Sequence, residues 1–192
     1  LLSFNMTDPS RGDAGVCGGE VEVFIEPVNP PATLLIVGAG HVGRALAHLG
    51  HWLGYRLVVT DDRADLCTRD LIPDTDEFVV GPVAEALSKI QPNSQTYVAC
   101  LTRGYLFDVD ALPILLDSPA PYIGVIGSRR RWAMAIKDLK AKGVSEESLA
   151  RVHAPIGLEL EAETPEEIAV SIMAEIIMLR RGGTGNPAGQ SS

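Results

Sequence analysis

The chain has 192 residues, 46% of them hydrophobic, and a formal net charge of −9, which is ordinary for one globular domain or one domain with part of another. The acidic balance argues against general affinity for nucleic acid or anionic membrane. No apolar run approaches the roughly 20 residues that span a bilayer. The three cysteines include no CxxC pair and are a poor disulfide framework, which favours a cytoplasmic location.

Three segments of different composition follow one another along the chain. Residues 1–31 hold a polar tail, an alternating segment over 20–28 that predicts a half-exposed strand, and a proline-rich linker. Residues 32–182 alternate short apolar runs with helical patterns, and 183–192 are rich in Gly, Pro and Ser, which predicts disorder. Because the sequence begins without Met, we expect a fragment or a processed product.

The middle segment is predicted to be a doubly wound α/β domain. Strands are expected at 34–37, 57–60, 78–80, 97–101 and 122–126, and helices at 44–53, 82–90, 109–116, 129–142, 145–152 and 164–181. Near-continuous apolar strands that alternate with helices are typical of a parallel sheet covered on both faces. The last helix has the clearest start, because Thr164, Pro165 and Glu167 form a capping box with proline at the first helical position.

The first strand of this domain runs into a glycine loop of the form G-x-G-x-x-G. Gly38, Gly40 and Gly43 lie between the strand and the next helix, with His41 inside the motif. The first glycine permits a tight turn, the second lets the backbone approach a phosphate, and the third lets helix and strand pack closely. The N–H groups that begin the helix then face an anion. The pattern predicts a Rossmann-like nucleotide-binding fold, with glycines kept only for packing as the alternative.

Charged residues end the next strand, about 20 residues after the glycine loop, where such folds contact the ribose. Asp61 or Asp62 is placed to accept hydrogen bonds from ribose hydroxyls. Arg63 would instead favour a 2′-phosphate. The sequence therefore leaves NAD and NADP open.

Two further loops are expected at the same edge, because ligands of open parallel sheets lie beyond the carboxyl ends of the strands. The first carries a polar group made of Thr102, Arg103 and Asp108. Asp108 is also a candidate N-cap of the helix predicted at 109–116. The two roles are compatible.

The second loop opens a helix with Gly127 and Ser128, followed by arginines at 129–131. Positive charge in a first helical turn opposes the helix dipole, which is easier to understand if an anion binds there. Successive helical residues are separated by about 100°, so at most two of the arginines face one ligand. We assign Arg129 and Arg130 to the ligand and expect the third to be solvated or paired with an acid. A surface cluster satisfied by acidic residues is the alternative.

Metal ligation and catalysis find little support in the sequence. His41, His48 and His51 lie on or near the first helix, but no carboxylate or Cys joins them in sequence, so no metal site is predicted. Cys17 is flanked by glycines and is a candidate reactive thiol, with a plain turn residue as the alternative. Cys17 and Asp108 are the candidate catalytic residues, since no acid–base pair is evident.

Taken together, these segments resemble the xanthine dehydrogenase accessory factor family (XdhC/CoxI-type proteins), over about residues 15–181. The matching stretches are CGGEVEV at 17–23, GAGHVG at 38–43, DDR at 61–63, the loop 102–108, YIGVIGSRRR at 122–131, HAPIGL at 153–158 and ETPEEIAVSIMAEI at 163–176. The resemblance implies that 1–31 is the end of an N-terminal domain, that 32–182 is a Rossmann domain, and that most of the N-terminal domain is absent.

The resemblance also implies a cytoplasmic maturation factor for molybdenum hydroxylases. Family members bind molybdenum cofactor (molybdopterin), promote its sulfuration with a cysteine desulfurase, and deliver it to apo-xanthine dehydrogenase or a related enzyme. They tend to self-associate, and we expect a homodimer. Tyr105 stands where many relatives have His, so no proton-transfer role is carried over to this position.

Three functions are compatible with these residues. The ordered family motifs favour a cofactor chaperone over a turnover enzyme. The glycine loop with Asp61 and Asp62 suggests an NAD(P)-dependent oxidoreductase, although the chain lacks a substrate domain of the usual size and a clear catalytic set. A nucleotide-sensing regulatory domain is the third hypothesis. Whether the ligand is the pterin, NAD(P) or both stays open.

Overall fold

A computed structural model describes residues 2–5, 20–26, 30–187 and 189. The chain forms two compact units, Leu1–Pro30 and Pro31–Ser192. In the first unit, strand β1 (Leu2–Asn5) pairs antiparallel with strand β2 (Glu20–Val23). The strand predicted over 20–28 therefore forms but ends at Val23. Cys17, most of the predicted polar tail, the linker positions 27–29 and the terminal residues 190–192 lie outside the described residues.

The second unit is built on a parallel sheet of six strands. They are β3 (Thr33–Val37), β4 (Arg56–Asp61), β5 (Glu77–Val80), β6 (Thr96–Cys100), β7 (Tyr122–Val125) and β8 (Val152–His153). Their order across the sheet is β5-β4-β3-β6-β7-β8. Strand β3 lies at the centre. The strands β4 and β5 follow on one side of it, and the chain then crosses back to place β6, β7 and β8 on the other side. The switch point between β3 and β6 defines a doubly wound Rossmann fold, and the predicted fold class is confirmed.

Helices cover both faces of this sheet. They are α1 (His41–Trp52), α2 (Val83–Ile90), α3 (Tyr105–Asp117), α4 (Arg129–Ala141), α5 (Glu146–Leu149) and α6 (Pro165–Arg181). The helices α1 and α6 pack against each other and against one face, where Leu34 and Ile36 of β3 point. The helices α2, α3 and α4 cover the other face, where Leu35 of β3 points. Since both faces are buried, the central strands read as continuous aliphatic runs.

Three predicted boundaries at the ends of helices are wrong. Helix α1 begins at His41, within the glycine motif, and not at residue 44. Helix α3 begins at Tyr105 with Gly104 as its N-cap, so Asp108 lies inside the first turn and is not an N-cap. The predicted helix 145–152 ends at Leu149, and Val152 belongs to β8. Strand β8 has two residues, too few to show an alternating pattern, and it forms by pairing with β7.

The start of α6 is confirmed in atomic detail. The Thr164 hydroxyl accepts a hydrogen bond from the Glu167 N–H at 3.2 Å, and the Glu167 carboxylate accepts one from the Thr164 N–H at 3.1 Å. These bonds satisfy two of the otherwise unbonded N–H groups at the helix start. None of the described helices combines the length and the apolar character that a membrane span requires.

Gly43 lets α1 approach the glycine loop, and we expect its replacement to be costly. A Cβ at Gly43 would overlap the carbonyl oxygen of Gly38, whereas a Cβ at Gly40 would meet nothing within 4 Å. Because a backbone oxygen cannot move without displacing β3, Gly43→Ala should lower the free energy of unfolding by about 1–3 kcal/mol or more. Gly40→Ala is the matched control in urea unfolding. Equal midpoints for the two variants would contradict this packing argument.

Candidate functional site

The loops after β3, β6 and β7 meet at the carboxyl edge of the sheet, around its switch point. Leu101 donates its backbone N–H to the Val37 carbonyl at 2.7 Å, and Ile126 donates to the Cys100 carbonyl at 2.9 Å. These bonds join the glycine loop to the β6 loop and the β6 loop to the start of α4. The glycine loop and the three arginines therefore lie at one edge, on either side of Thr102.

The glycine loop presents backbone to this edge. Gly38 has φ +121, and a Cβ there would overlap the Leu101 carbonyl oxygen, so only glycine fits. Gly40 is the N-cap of α1 and supplies no side-chain cap, and the first turn holds no acidic residue. The N–H groups at the start of α1 are thus left for solvent or for a ligand oxygen, which is how helix starts bind phosphate. His41, the first residue of α1, is exposed.

Asp61 holds the glycine loop in place. Its carboxylate accepts the Ala39 N–H at 2.8 Å, and Arg63 donates to it from the backbone N–H, Nε and Nη2 at 2.9–3.0 Å. The side chain is 3% exposed. Burial by itself raises the pKa of Asp61, but the hydrogen bonds from Arg63 and Ala39 outweigh it and hold this pKa well below its usual range. Asp61, one of the two acids expected to bind ribose, is therefore engaged by the protein itself.

Asp62 and Arg103 form a bridge between the β4 and β6 loops. The two guanidinium Nη atoms donate to the two carboxylate oxygens at 2.6 and 2.7 Å. The Arg103 guanidinium also stacks on the ring of Phe107, 4.2 Å from its centroid. Both partners of the pair are partly exposed, so this bridge is open to competition from a ligand.

Asp108 is fully buried beneath the β6 loop and pairs with Arg131. It accepts the Thr102 hydroxyl at 2.6 Å and the Arg131 Nε and Nη2 at 3.1 and 2.7 Å. Arg131 also donates to the Thr102 carbonyl at 3.0 Å. Burial raises the pKa of Asp108 despite these bonds. Arg131 is therefore the arginine of the three that pairs with an acid, and it fastens α4 to the β6 loop.

Gly127 makes room for this arginine, while Arg129 and Arg130 stay exposed. Gly127 has φ +136, and a Cβ there would lie 2.6 Å from the Arg131 Cδ. Ser128 is the N-cap of α4 and accepts the Arg131 N–H at 3.2 Å. Within the described part of the chain, neither Arg129 nor Arg130 forms a salt bridge. At this helix start neither guanidinium group has an ion-pair partner within 4 Å among the described residues, and Glu159 and Glu161 line the same cleft as Arg129.

Two neighbouring concavities receive some of the predicted residues. Arg129 lines a cleft of about 300 Å³ together with the loop 155–162. His41 lines a different groove of about 560 Å³ on the face of α1 and α6, and Arg129 is not part of its lining. His48 Nδ1 lies 3.0 Å from Asp74 in that groove. Among the described residues, no group of three or more His, Cys, Asp or Glu is arranged to hold a metal ion.

The sequence reasoning missed a buried cluster around Glu175. This carboxylate accepts the Tyr122 hydroxyl at 2.6 Å, the Gly157 N–H at 2.7 Å and the ring Nδ1 of His153 at 3.0 Å. It thereby joins α6 to β7, to β8 and to the loop that follows β8. A usable signal existed, because Glu175 follows Ile172 by three positions and Ile168 by seven, which places a carboxylate on the apolar face of α6.

The fold and this edge define a Rossmann domain with a glycine loop suited to a phosphate group. A family model described as the XdhC Rossmann domain matches residues 34–176, and the chain belongs to this family. The resemblance noted from the sequence motifs is confirmed.

Relatives with longer chains support the same assignment. The chain is 35% identical over 173 residues to an uncharacterised protein, YqeB, of Escherichia coli, covering 88% of this chain and 31% of the relative. It is 33% identical over 161 residues to a protein of Bacillus subtilis named as a probable xanthine dehydrogenase subunit, covering 83% and 46%. It is 24% identical over 163 residues to the molybdenum cofactor insertion chaperone PaoD of E. coli, covering 85% and 45%. The chain thus spans less than half the length of each of these relatives, from 31% to 46%.

A solved structure shares the fold across most of the chain. A crystal structure described as a xanthine dehydrogenase from Bacillus halodurans superposes with a TM-score of 0.70 and 31% sequence identity. The match covers 84% of this chain and 45% of that one.

Proposed function

We propose that this domain binds molybdenum cofactor at the carboxyl edge of its sheet and holds it for insertion into xanthine dehydrogenase or a related molybdenum hydroxylase. Family membership supports this, as do the relatives that are named as a xanthine dehydrogenase subunit or as a cofactor insertion chaperone. The observation that carries the proposal is the pair of helix starts, α1 and α4, that open toward one edge with Arg129 and Arg130 exposed beside them.

The residues at this edge fit the chemistry of the cofactor, which carries a phosphate on a pterin. The uncapped N–H groups that follow Gly40, and the charges of Arg129 and Arg130, favour a phosphate. The cleft between Arg129 and the loop 155–162 is large enough for a ring system. When bound, the group supplies the metal centre that the recipient enzyme uses. The chain itself binds, orients and shields it.

The proposal includes the neighbouring residues and the partners of the wider family. His41, Gly43, Thr102, Gly127 and Ser128 shape the edge, and Asp61, Asp62, Arg63 and Arg103 form its β4 side. Sulfuration of the held cofactor with a cysteine desulfurase precedes delivery to the apoenzyme. The working form is a cytoplasmic homodimer, with 1–31 as the end of an N-terminal domain and 32–182 as the binding domain, followed by the segment 183–192. Cys17 and Asp108 have no catalytic step assigned.

We expect Arg129→Ala/Arg130→Ala to weaken retention of molybdenum cofactor by at least about tenfold. Charge-assisted hydrogen bonds contribute roughly 1.5–3 kcal/mol each when desolvated, and less at an exposed position. The measurement is co-elution of purified protein and cofactor on size exclusion, quantified by fluorescence of the oxidised pterin.

The control removes the same charge from the same helix. Lys137 and Lys140 lie about two to three turns further along α4, away from the carboxyl edge. Lys137→Ala/Lys140→Ala should retain the cofactor as the wild type does. If the wild-type chain fails to retain cofactor, or if the two double variants behave alike, the proposed site is wrong.

Nucleotide binding is a second candidate function, common to the oxidoreductase and nucleotide-sensing hypotheses. The observation that favours it is a pocket on the β4 side of the same edge, lined by Asp61, Asp62 and Arg63. This pocket is independent of Arg129 and Arg130.

A further inference from the structure

A small pocket lies at the carboxyl edge, on the sheet face that carries α2 and α3. We call it the Thr60 pocket. Its apolar walls include Val37, Val83 and Phe107, and its polar walls include Thr60, Arg63 and Arg103. Thr60 shares a face of β4 with Val58, which packs against the α2 and α3 side of the core. The Thr60 side chain is therefore directed to the same side of the sheet as the pocket.

The Thr60 hydroxyl has no hydrogen-bond partner. Thr60 is 1% exposed, and its Oγ1 is one of three such buried side-chain atoms in the described part of the chain. Buried hydroxyls are nearly always hydrogen-bonded, because leaving one unsatisfied costs the desolvation of the group. An unsatisfied hydroxyl in a pocket wall is explained if a bound molecule supplies its partner.

The two carboxylates of this pocket already accept hydrogen bonds from the protein, so they are poor acceptors for ribose hydroxyls. Asp61 accepts from Ala39 and Arg63, and Asp62 accepts both Nη groups of Arg103. A ribose diol would have to displace one of these guanidinium groups. The pattern Asp-Asp-Arg at the end of β4 therefore does not act here as a ribose-binding acid.

Donors, by contrast, are available at the mouth of the pocket. The Arg63 side chain is 40% exposed and the Arg103 side chain 44%. The Arg103 Nη1 lies 3.9 Å from Asp61, the acid that also holds Arg63, so the two guanidinium groups are neighbours. Two adjacent guanidinium groups form a good site for a phosphate, since each offers several N–H donors in a fixed plane.

We propose that the Thr60 pocket binds a nucleotide whose ribose carries an additional phosphate, as in NADP(H). Arg63 and Arg103 donate to that phosphate, and the Thr60 hydroxyl bonds to the base or sugar. With the Asp62–Arg103 bridge closed, the pocket volume is about 30 Å³, so the bridge opens when the nucleotide enters. An exposed ion pair of this kind opens readily, and the phosphate then replaces Asp62 as the partner of Arg103.

The test is a fluorescence titration of the full chain with NADPH and with NADH, without molybdenum cofactor. We expect NADPH to bind at least about tenfold more tightly than NADH, because only NADPH carries the 2′-phosphate. Arg103→Met should remove most of this preference by weakening NADPH alone. Asp62→Asn should strengthen NADPH binding, because it frees Arg103. Thr60→Val should weaken both nucleotides by a similar factor.

Arg56→Met is the matched control, because Arg56 is partly exposed and pairs with Glu77 at the other end of β4. It should leave both affinities unchanged. Equal affinities for the two nucleotides, no binding of either, or a preference that survives Arg103→Met would overturn the inference. The inference rests on the second candidate function, nucleotide binding. Asp61, Asp62, Arg63 and Arg103 also border the proposed cofactor site, but cofactor retention is measured separately, with the pterin and the Arg129→Ala/Arg130→Ala variant. Failure of one proposal therefore leaves the other standing.

Discussion

Replacing Arg131 with Met will destabilise the domain by about 3–5 kcal/mol, whereas the same change at Arg130 will cost less than about 1 kcal/mol. The two residues are adjacent in α4 but have different surroundings. Arg131 is 22% exposed and neutralises Asp108, which is fully buried. Without Arg131 this carboxylate would keep only the Thr102 hydroxyl as a polar partner among the described side chains. Urea unfolding followed by circular dichroism measures both variants.

The pH dependence of the Arg131→Met variant provides a second test. Burial already raises the pKa of Asp108 above its unfolded value, and loss of Arg131 will raise it further. A carboxyl group with a raised folded-state pKa costs stability as the pH rises above the unfolded pKa of about 3.9. The stability deficit of Arg131→Met should therefore be smallest in acid and grow toward neutral pH.

The double variant Arg131→Met/Asp108→Asn should recover a part of the loss at pH 7, because it removes the buried charge. A deficit that is independent of pH, or equal losses for Arg130→Met and Arg131→Met, would show that Asp108 and Arg131 do not form the pair described above.

Replacing Glu175 with Ala will cost about 3–5 kcal/mol, because it leaves several buried groups without an acceptor. The Tyr122 hydroxyl, the Gly157 N–H and the His153 ring all bond to this carboxylate. Burial and the nearby carboxylate raise the pKa of Tyr122, so its hydroxyl remains the donor. Glu166→Ala, at an exposed position of the same helix, is the control and should cost less than about 1 kcal/mol.

The lowered pKa of Glu175 leads to a prediction about how the stability of the protein changes in acid. Burial alone would raise the pKa of Glu175, but the hydrogen bonds from His153, Tyr122 and Gly157 outweigh it and lower this pKa. A carboxyl group with a lowered folded-state pKa stabilises the protein above the unfolded pKa of about 4.3, and this contribution is lost as the pH falls through the folded pKa. Glu175→Gln should thus differ most from the wild type near neutral pH and converge with it in acid. Parallel curves over the whole range would contradict this role.

The order of helices and strands could be read from the sequence because short-range patterns specify it. The aliphatic runs in β3, β4, β6 and β7 identify buried strands, and the capping box at Thr164 marks the start of α6. Strand β8 was not predicted, because its two residues form a strand only through pairing with β7. The start of α3 was predicted four residues too late, because Asp108 is a residue type that favours the N-cap. In the structure its side chain instead bonds to Arg131.

The candidate site, too, could be predicted from the sequence only in part. The sequence showed that the glycine loop, the loop at 102–108 and the arginines at 129–131 each follow a strand, and the edge of a parallel sheet then gathers them. The sequence could not show with which acidic residue each arginine forms an ion pair. Asp61 with Arg63 is a local pair. Asp62 with Arg103 connects two loops that are distant in sequence, and Asp108 with Arg131 connects the first turns of α3 and α4.

Local periodicity and residues at fixed spacing were thus enough to predict the Rossmann fold and the glycine loop, and the resemblance of the ordered motifs indicated the family. The pairing and the burial of the charged side chains were decided only by the tertiary structure. Folding makes Asp61 an anchor of the glycine loop, buries Asp108 against Arg131, and leaves Arg129 and Arg130 exposed. The physical reason is that an ion pair depends on which loops the strand order brings within about 4 Å of each other, and no local pattern records that distance.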